Sequence, residues 1–340
     1  MPSSEIETPA AIRRRGLSPR LANGLGIAGA AVLIYLLLAA VVPYFATPQN
    51  MTGLLANAAI AAIAALGLTL VILTGGIDLS VGGVMSLVGL ATVANVGAGV
   101  PWWLAMIVGM LLGAVVGVAN GLLVALLRVP SFVATFGTLG ITAGAALFIA
   151  DGRPTVLLPR EMIAFGNGSV FFIPYLAILA VVVLAVLQFL QGSTRWGVNT
   201  RSTGDNRHVA ALVGVPVKRT LVAAYATSGL LAGLAGAALT AQLSTAGPQQ
   251  GEPYTLAAIA ACVVGGVDLL GGKGSLWAAC LGAVFLAALR NAMNLQGVQP
   301  FTQDLVTGLL IIVAVFVTVS GRGAVQTLLG RLRPAQEVRS

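Results

Sequence analysis

The chain has 340 residues, of which 58% are hydrophobic and 8% are charged, and its formal net charge is +8. Soluble domains carry about 25% charged residues, so this composition excludes a soluble globular protein and, apart from the two tails, a disordered one. The basic residues cluster in the tails and in one loop instead of along an amphipathic face, which argues against nucleic-acid binding. We therefore expect an all-α integral membrane protein in a lipid bilayer.

Apolar segments of about 20 residues, the length at which a helix crosses a bilayer, recur along the whole chain. The first apolar run is too long for the core of a signal peptide, so we interpret it as the first span. The sequence predicts a polytopic bundle of about ten transmembrane helices, at residues 24–45, 52–73, 80–98, 102–127, 131–150, 172–191, 221–243, 256–270, 276–296 and 301–320. The predicted parts of the chain are an N-terminal tail (1–22), a transmembrane domain (23–321) and a C-terminal tail (322–340).

The distribution of basic residues predicts the orientation of these spans. With the N-terminus inside, all of the 18 lysine and arginine residues fall on the cytoplasmic side except Arg153, Arg160 and Arg290. This distribution fits the positive-inside rule, and the inverse orientation violates it. An even number of spans then places both termini in the cytoplasm.

Two connections between the predicted spans are long. The external one, residues 151–171, mixes both charge signs, and the cytoplasmic one, residues 192–220, is basic and contains a short helical pattern near residues 206–213. A cytoplasmic loop of this size suits a docking site for a soluble partner, and it equally suits a plain basic loop that fixes orientation. The composition alone leaves both interpretations open.

Small residues recur at helical spacing in two of the predicted spans. They allow helix backbones to approach closely in lipid, where no hydrophobic force drives helices together. We therefore predict that these spans pack tightly through Gly109, Gly113, Gly117, Gly229, Gly233 and Gly236.

Two glycine-rich breaks interrupt the apolar sequence, and each carries an aspartate. "GGIDLSVGG" covers residues 75–83 and "GGVDLLGG" covers residues 265–272, so the two resemble an internal repeat. Transporters are often built from repeats with interrupted helices at corresponding positions. Asp78, next to Ser80, either caps the helix that follows or lines a substrate path, since a carboxylate at membrane depth is rarely accidental. Asp268 occupies the second break.

Nucleotide, metal and disulfide sites are not expected in this chain. "GGKGS" fails the phosphate-loop pattern, because Val267 stands where its first glycine is needed and Gly274 follows Lys273. Cys262 and Cys280 lie in apolar runs without metal-ligand spacing, so we interpret both as small buried residues. No second carboxylate or histidine lies near either aspartate in the sequence.

From residue 47 to residue 319 the chain resembles the permease subunits of bacterial ABC importers for ribose and related sugars, within the wider branched-chain amino acid and ribose permease superfamily. The resemblance is carried by "NAAIAAIAALGLTLVILTGGIDLSVGGVMSL", "RVPSFVATFGTLGITAGAALFIADGRP", "LVGVPVKRTLVAAYATSGLLAGLAGAALTAQL", "AIAACVVGGVDLLGGKGSLWAACLGA" and "NAMNLQGV". It implies a multi-pass protein of the bacterial inner membrane that is a transporter subunit and not an enzyme.

The resemblance also implies partners. A second permease chain, expected to be identical, would complete the path, and ATP-binding subunits carrying ATP and Mg²⁺ would dock on the cytoplasmic loop. A soluble binding protein would deliver the small sugar, and this chain would hold no cofactor. The family pattern at the ATPase contact matches Asn206, Gly214 and Val215. The residues expected in this coupling loop are Trp196, Gly204, Asn206, Arg207, His208 and Gly214.

The sequence departs from the family pattern at three points. No glutamate stands in the coupling region, where Arg207 and His208 occur instead. Thr255 and Ala257 occupy positions that are acidic in ribose-type members, and "GGVDL" replaces a Gly-Gly-Thr-Ser-Leu pattern. These departures leave open which sugar, or which other small polar solute, is carried.

Polar residues within the predicted spans are candidates for the translocation path, and each is equally a candidate for a hydrogen bond between helices. A less favoured alternative function is an autonomous secondary transporter, which needs ion-coupling carboxylates deep in the bundle. A membrane-embedded enzyme is weaker still, because the chain has one histidine. The candidate path or helix-break residues are Asn57, Thr74, Asp78, Ser80, Asn120, Gln242, Asp268 and Asn291.

Overall fold

A computed structural model of the chain describes residue 29 and residues 32–155 and 158–331, with side chains through residue 316. Most of it is helical, and one short antiparallel hairpin joins β1 (Ser169–Val170) to β2 (Ile173–Pro174). The helices are α1 (Val32–Val41), α2 (Pro48–Leu73), α3 (Val81–Gly97), α4 (Trp102–Ala125), α5 (Ser131–Ala150), α6 (Arg160–Asn167), α7 (Tyr175–Ser193), α8 (Arg195–Asp205), α9 (Arg207–Leu212), α10 (Val217–Leu243), α11 (Glu252–Val264), α12 (Leu276–Leu295) and α13 (Pro300–Arg331).

Six of the described helices are long and apolar enough to cross a membrane, namely α2, α4, α5, α7, α10 and α12. Four shorter apolar helices accompany them: α1, α3, α11 and the apolar part of α13. Each predicted span overlaps one of these helices, and the chain is a polytopic helical membrane protein. The predicted N-terminal tail, residues 1–22, lies outside the described residues.

Several boundaries differ from the predicted ones. α11 ends at Val264, whereas the sequence predicts a span through residue 270, because the chain turns at the glycine pair that follows. α10 begins at Val217, one helical turn before the predicted start. α13 continues to Arg331, into the segment predicted as a tail, and the predicted external loop contains α6 and the hairpin.

The centre of the bundle is α2. Its most apolar window is 89% buried, and α7, α10, α11 and α12 pack around it. A helix that is apolar on every side is stable when protein or lipid surrounds it completely, and α2 is surrounded by protein. The corresponding window of α5 is only 22% buried, so this helix presents most of its apolar surface outward.

α4 and α10 form the closest helix pair, and glycines make their approach possible. A Cβ at Gly113 would collide with the Gly229 carbonyl oxygen, and a Cβ at Gly117 would collide with the Tyr225 carbonyl oxygen. Gly236 meets the backbone of Met85 on α3 in the same way. The predicted role of these small residues in close helix packing is confirmed.

Candidate functional site

The two glycine-rich breaks turn the chain in the same way. Gly75 (φ 74°) ends α2 and Gly266 (φ 73°) follows α11, both in the left-handed region that favours glycine. In each turn the glycine N–H bonds to the carbonyl three residues earlier, and the next N–H bonds to the carbonyl five residues earlier. This pattern is a Schellman motif. The turns therefore match Gly75 with Gly266, one residue away from the register in which the sequences align.

The carboxylate of Asp78 is buried and accepts hydrogen bonds from every side. Oδ1 accepts from the backbone N–H and the hydroxyl of Ser80, at 3.0 and 2.6 Å, and Oδ2 accepts from the Ser228 hydroxyl on α10 at 2.8 Å. The network continues from the Ser80 hydroxyl to Asn120 Nδ2 on α4, at 3.0 Å, and from Asn120 Oδ1 to the Thr138 hydroxyl on α5. One carboxylate thus connects the start of α3 to three other helices.

The path candidates of the first break are enclosed by protein. Thr74, Asp78, Ser80 and Asn120 are all buried, and the Thr74 hydroxyl bonds to a carbonyl of its own helix. The structure brings Asp78, Ser80 and Asn120 together in one network and leaves Thr74 outside it. The backbone donor to Asp78 is the N–H of Ser80, the residue before α3, so the carboxylate holds the turn that leads into this helix and bonds to no N–H within it.

The two breaks contact each other and the loop of residues 192–220, which the sequence predicts to be cytoplasmic, at one junction. The Gly272 N–H donates to the Leu73 carbonyl at 3.1 Å, joining the second break to the end of α2. A Cβ at Gly204 of α8 would collide with both of these groups. Arg207 Nη2 donates to the carbonyls of Thr74 and Gly75, each at 3.3 Å. A displacement of the loop at this junction acts directly on the backbone of both breaks.

Asp268 forms the same local turn as Asp78 in a less enclosed place. Its Oδ1 accepts from the Leu270 N–H at 3.2 Å, two residues on, as Asp78 does from Ser80. Its own N–H donates to the Lys273 carbonyl at 2.9 Å, which closes the loop before α12. Asp268 is 8% exposed.

A cavity of about 230 Å³ lies between α2, α11, α12 and α13, and we name it the outer cavity. Asn57 lies near the start of α2 and Asn291 near the end of α12, so the cavity is at the opposite end of these helices from the breaks. Its polar lining consists of Asn57, Tyr254, Arg290, Asn291, Asn294, Gln303 and Thr307.

Carboxamides dominate the chemistry of the outer cavity. Asn57 Oδ1 accepts from Gln242 Nε2 of α10 at 3.2 Å, and Asn291 exchanges two bonds of 2.8 Å with Asn50. Arg290 is the one cation of the lining, and its Nη2 lies 3.0 Å from Asp304 Oδ1. The cavity therefore combines neutral donors and acceptors with a cation whose charge is already compensated.

Three of the predicted path residues thus group at the outer cavity: Asn57 and Asn291 line it, and Gln242 bonds to Asn57. The prediction missed Tyr254, Arg290, Asn294, Gln303 and Thr307 as lining residues. A signal was present for Arg290, since an ionisable side chain inside an apolar span is unusual. The amides Asn294 and Gln303 lie near helix ends, where the sequence does not distinguish them from loop residues.

The predicted coupling loop folds into α8 and α9. Asn206 caps α9 by accepting from the N–H groups of His208 and Val209, at 3.0 and 3.1 Å, and Gly214 (φ 84°) lies in the turn that follows. Trp196 packs against the core, and His208 is exposed. One face of α9 exposes an apolar stripe of Val209, Leu212 and Val213.

Residues 50–315 of the chain match the sequence profile of the family described as "Branched-chain amino acid transport system / permease component". The chain belongs to this family. A ribose import permease protein of Bacillus subtilis is 38% identical over 88% of this chain and 92% of its own length. A D-allose transport system permease protein of Escherichia coli is 35% identical, covering 80% and 84% of the two chains. An L-arabinose transport system permease protein of Escherichia coli is 33% identical, covering 83% and 86%.

No solved structure gave a significant match to the permease. Its family and its apolar helices make it a multi-pass protein of the inner membrane that functions in transport. The family resemblance seen in the sequence is confirmed.

Proposed function

We propose that this permease is the membrane subunit of an ATP-driven importer for a neutral monosaccharide, ribose or a related sugar. The observation that carries the proposal is the lining of the outer cavity. Its carboxamide and hydroxyl groups both donate and accept hydrogen bonds, as the hydroxyls of a sugar require. The relatives named for ribose, allose and arabinose support the same substrate class.

The charge of the outer cavity separates this substrate from the alternative, another small polar solute such as an amino acid. An amino acid presents a carboxylate and an ammonium group, and each needs a charged or strongly polar partner when it leaves water. The lining holds one cation, Arg290, which is paired with Asp304 although its buried Nε has no hydrogen-bond partner, and it holds no carboxylate for an ammonium group. A neutral sugar carries no charge, so it needs no charged partner in the cavity.

The proposal includes an orientation in the membrane and a set of partner subunits. We place ten spans within residues 23–321, both termini in the cytoplasm, and the outer cavity at the external face, where a binding protein delivers the sugar. ATP-binding subunits dock on the loop of residues 192–220, where the exposed stripe on α9 offers them an apolar contact. ATP and Mg²⁺ belong to those subunits, this chain holds no cofactor and is not an enzyme, and a second copy completes the path.

Coupling in this proposal runs from the loop to the breaks. Trp196, Gly204, Asn206, Arg207, His208 and Gly214 belong to the loop that the ATPase moves. Gly204 and Arg207 touch the breaks directly, so movement of the loop displaces the ends of α2 and α11 together. Rocking of the helices that follow then opens the path on the other side.

The test uses the permease reconstituted with its ATPase and its binding protein in proteoliposomes, with labelled ribose. We expect Asn57→Leu to lower uptake about threefold to tenfold, the effect of one lost hydrogen bond to a neutral group. Asn95→Leu is the matched control, because Asn95 bonds to a carbonyl of its own helix α3 and lies outside the outer cavity lining.

Equal uptake by the two variants would contradict the assignment of the outer cavity. Ribose-independent ATP hydrolysis together with leucine-stimulated transport would replace the sugar by an amino acid. Uptake by the permease alone, driven by an ion gradient, would replace the importer by a secondary transporter.

A further inference from the structure

A second cavity, of about 570 Å³, lies at the opposite end of the bundle, and we name it the inner cavity. It is enclosed by the turn between α4 and α5, by α9 and by the start of α10. Four basic side chains line it, and no acidic residue belongs to the lining. These four residues are Arg128, Arg207, Lys218 and Arg219.

The positive charge of the inner cavity is not compensated by carboxylates within the described part of the chain. The ion pair that the described residues form joins Arg290 and Asp304, at the other end of the molecule. Arg207 donates to two backbone carbonyls, which leaves its formal charge in place. Four cations around one concave space attract an anion.

Backbone groups add to this charge. α5 and α10 both begin at the inner cavity, at Ser131 and Val217, and no side chain caps either helix. The first N–H groups of a helix carry partial positive charge and bind phosphate and other anions. The two helix starts and the four cations therefore converge on the same space.

The backbone at Arg128 is itself unusual. This residue adopts φ 57°, a left-handed conformation that favours glycine, in the turn after α4. The turn places a long cationic side chain at the edge of the cavity, although a glycine adopts this backbone conformation more easily.

The inner cavity is distinct from the face of α9 that we assign to the ATPase. Arg207 and Ala211 of α9 line the cavity and are four residues apart, so they share one side of the helix. The exposed stripe of Val209, Leu212 and Val213 points to the other side, since successive helical residues are rotated by about 100°. An ATPase bound to the stripe therefore does not cover the inner cavity, and a second ligand can bind there.

The surroundings of the inner cavity are apolar and face outward. Val124 and Leu221 form part of its wall, and next to it Leu127 of the turn and Phe132 of α5 are 69% and 56% exposed. Exposed apolar side chains beside a membrane helix suit contact with acyl chains. A ligand that combines an anionic group with acyl chains fits both parts of the site.

We propose that the inner cavity binds the phosphate group of an anionic phospholipid of the cytoplasmic leaflet. Basic pockets between helices on the cytoplasmic side of membrane proteins recognise such head groups. The proposal takes its orientation from the proposed function. It is tested by lipid binding, which is measured independently of transport.

The chain offers an internal control for this test, because its lysines are Lys218, in the inner cavity, and Lys273, outside it, and both are exposed. The full-length permease in detergent is titrated with phosphatidylglycerol and treated with an amine-acetylating reagent, and each lysine is quantified by mass spectrometry. We expect phosphatidylglycerol to slow acetylation of Lys218 at least threefold and that of Lys273 little. Phosphatidylcholine, whose head group is neutral, should protect neither lysine.

Variants give the second measurement. By native mass spectrometry, Arg128→Gln/Arg219→Gln should raise the apparent Kd for phosphatidylglycerol about tenfold or more, given the contribution of each basic residue at a membrane surface. Arg195→Gln/Lys273→Gln removes the same charge outside the cavity and should change the Kd less than twofold. Arg128→Lys/Arg219→Lys keeps the charge and should retain most of the binding.

Three results would overturn the proposal. Equal loss of binding in both glutamine double variants would mean nonspecific attraction to a basic surface. Protection of Lys218 by glycerol phosphate as strong as by phosphatidylglycerol would make the ligand a soluble phosphate. Protection of Lys218 by the ATPase, with none by lipid, would make the cavity part of the ATPase contact.

Discussion

At the scale of single residues, the buried carboxylate of Asp78 in the first break takes its hydrogen bonds from side chains and backbone of the chain itself. Two hydroxyls and one backbone N–H donate to it, and the donors belong to Ser80 in its own turn and to Ser228 on α10. Removing the carboxylate leaves these donors buried and unpaired, which costs about 1–3 kcal/mol for each group.

We therefore expect Asp78→Leu to lower the free energy of unfolding by about 3 kcal/mol or more. Asp78→Asn should cost much less, because the amide has the same shape and keeps one acceptor while the Ser228 hydroxyl rotates to accept. Thermal unfolding of the purified chain in detergent measures both. Ser228→Ala, which removes a single donor, should fall between them, and wild-type stability with full transport in Asp78→Leu would contradict the assigned network.

The residues of the outer cavity show how far sequence reasoning reaches at this scale. Asn57 and Asn291 stand out in the sequence because each is a polar residue inside a largely apolar predicted span. Tyr254, Gln303 and Thr307 do not, because Tyr254 and Gln303 lie near helix starts and threonines recur through the apolar helices of this chain. Only the packing of α11 and α13 against α2 and α12 assigns them to one space.

At the scale of elements, the pair α4 and α10 depends on backbone contact instead of side-chain packing. Gly113 and Gly229 each face the carbonyl of the other, so a methyl group on either has no space unless the helices separate. Backbone atoms cannot rotate away as the end of a side chain can. The cost of overpacking at such a contact is typically about 1–3 kcal/mol.

We expect Gly113→Ala to destabilise the purified chain by about this amount, measured as a lower unfolding temperature in detergent. The matched control is Gly137→Ala on α5, where no atom lies within 4 Å of the added Cβ. That change should be neutral or should stabilise by up to about 1 kcal/mol, because alanine is the better helix former. A Gly113→Ala chain that is as stable as the Gly137→Ala chain would mean that α4 and α10 do not approach closely.

The apolar helices were accessible from the sequence, since hydropathy locates their approximate centres, although six of the described helices are long enough to span a membrane and four are shorter. The breaks were accessible too, because the paired glycines interrupt the helical pattern. What was not accessible is that the breaks meet: the bond from Gly272 to Leu73 joins residues far apart in the chain. The one-residue shift between the two turns was also hidden. Helix ends are set by local hydrogen bonds, and two segments with the same residues can end their helices one residue apart.

At the scale of the whole molecule, the proposed orientation separates the hairpin and the cytoplasmic loop by the full membrane. We expect a membrane-impermeant maleimide to label Ser169→Cys in intact cells and to label Ser193→Cys only after permeabilisation. Both positions are exposed, whereas the native Cys262 is buried. The unsubstituted chain provides the background signal, and the reverse labelling pattern would invert the topology and move the outer cavity to the cytoplasmic side.

The central position of α2 has a consequence for how the molecule is made. In the finished bundle, protein surrounds this helix, yet α10, α11 and α12 begin only at Val217 and beyond. At 5–20 residues per second, ribosomes need on the order of ten seconds to reach them after α2 has left the translocon. During that interval lipid takes the place of α10, α11 and α12 around α2. The uniformly apolar surface of α2 therefore suits insertion into lipid before it packs against these helices. A polar substitution there is expected to act during biogenesis, before any contact in the folded permease exists.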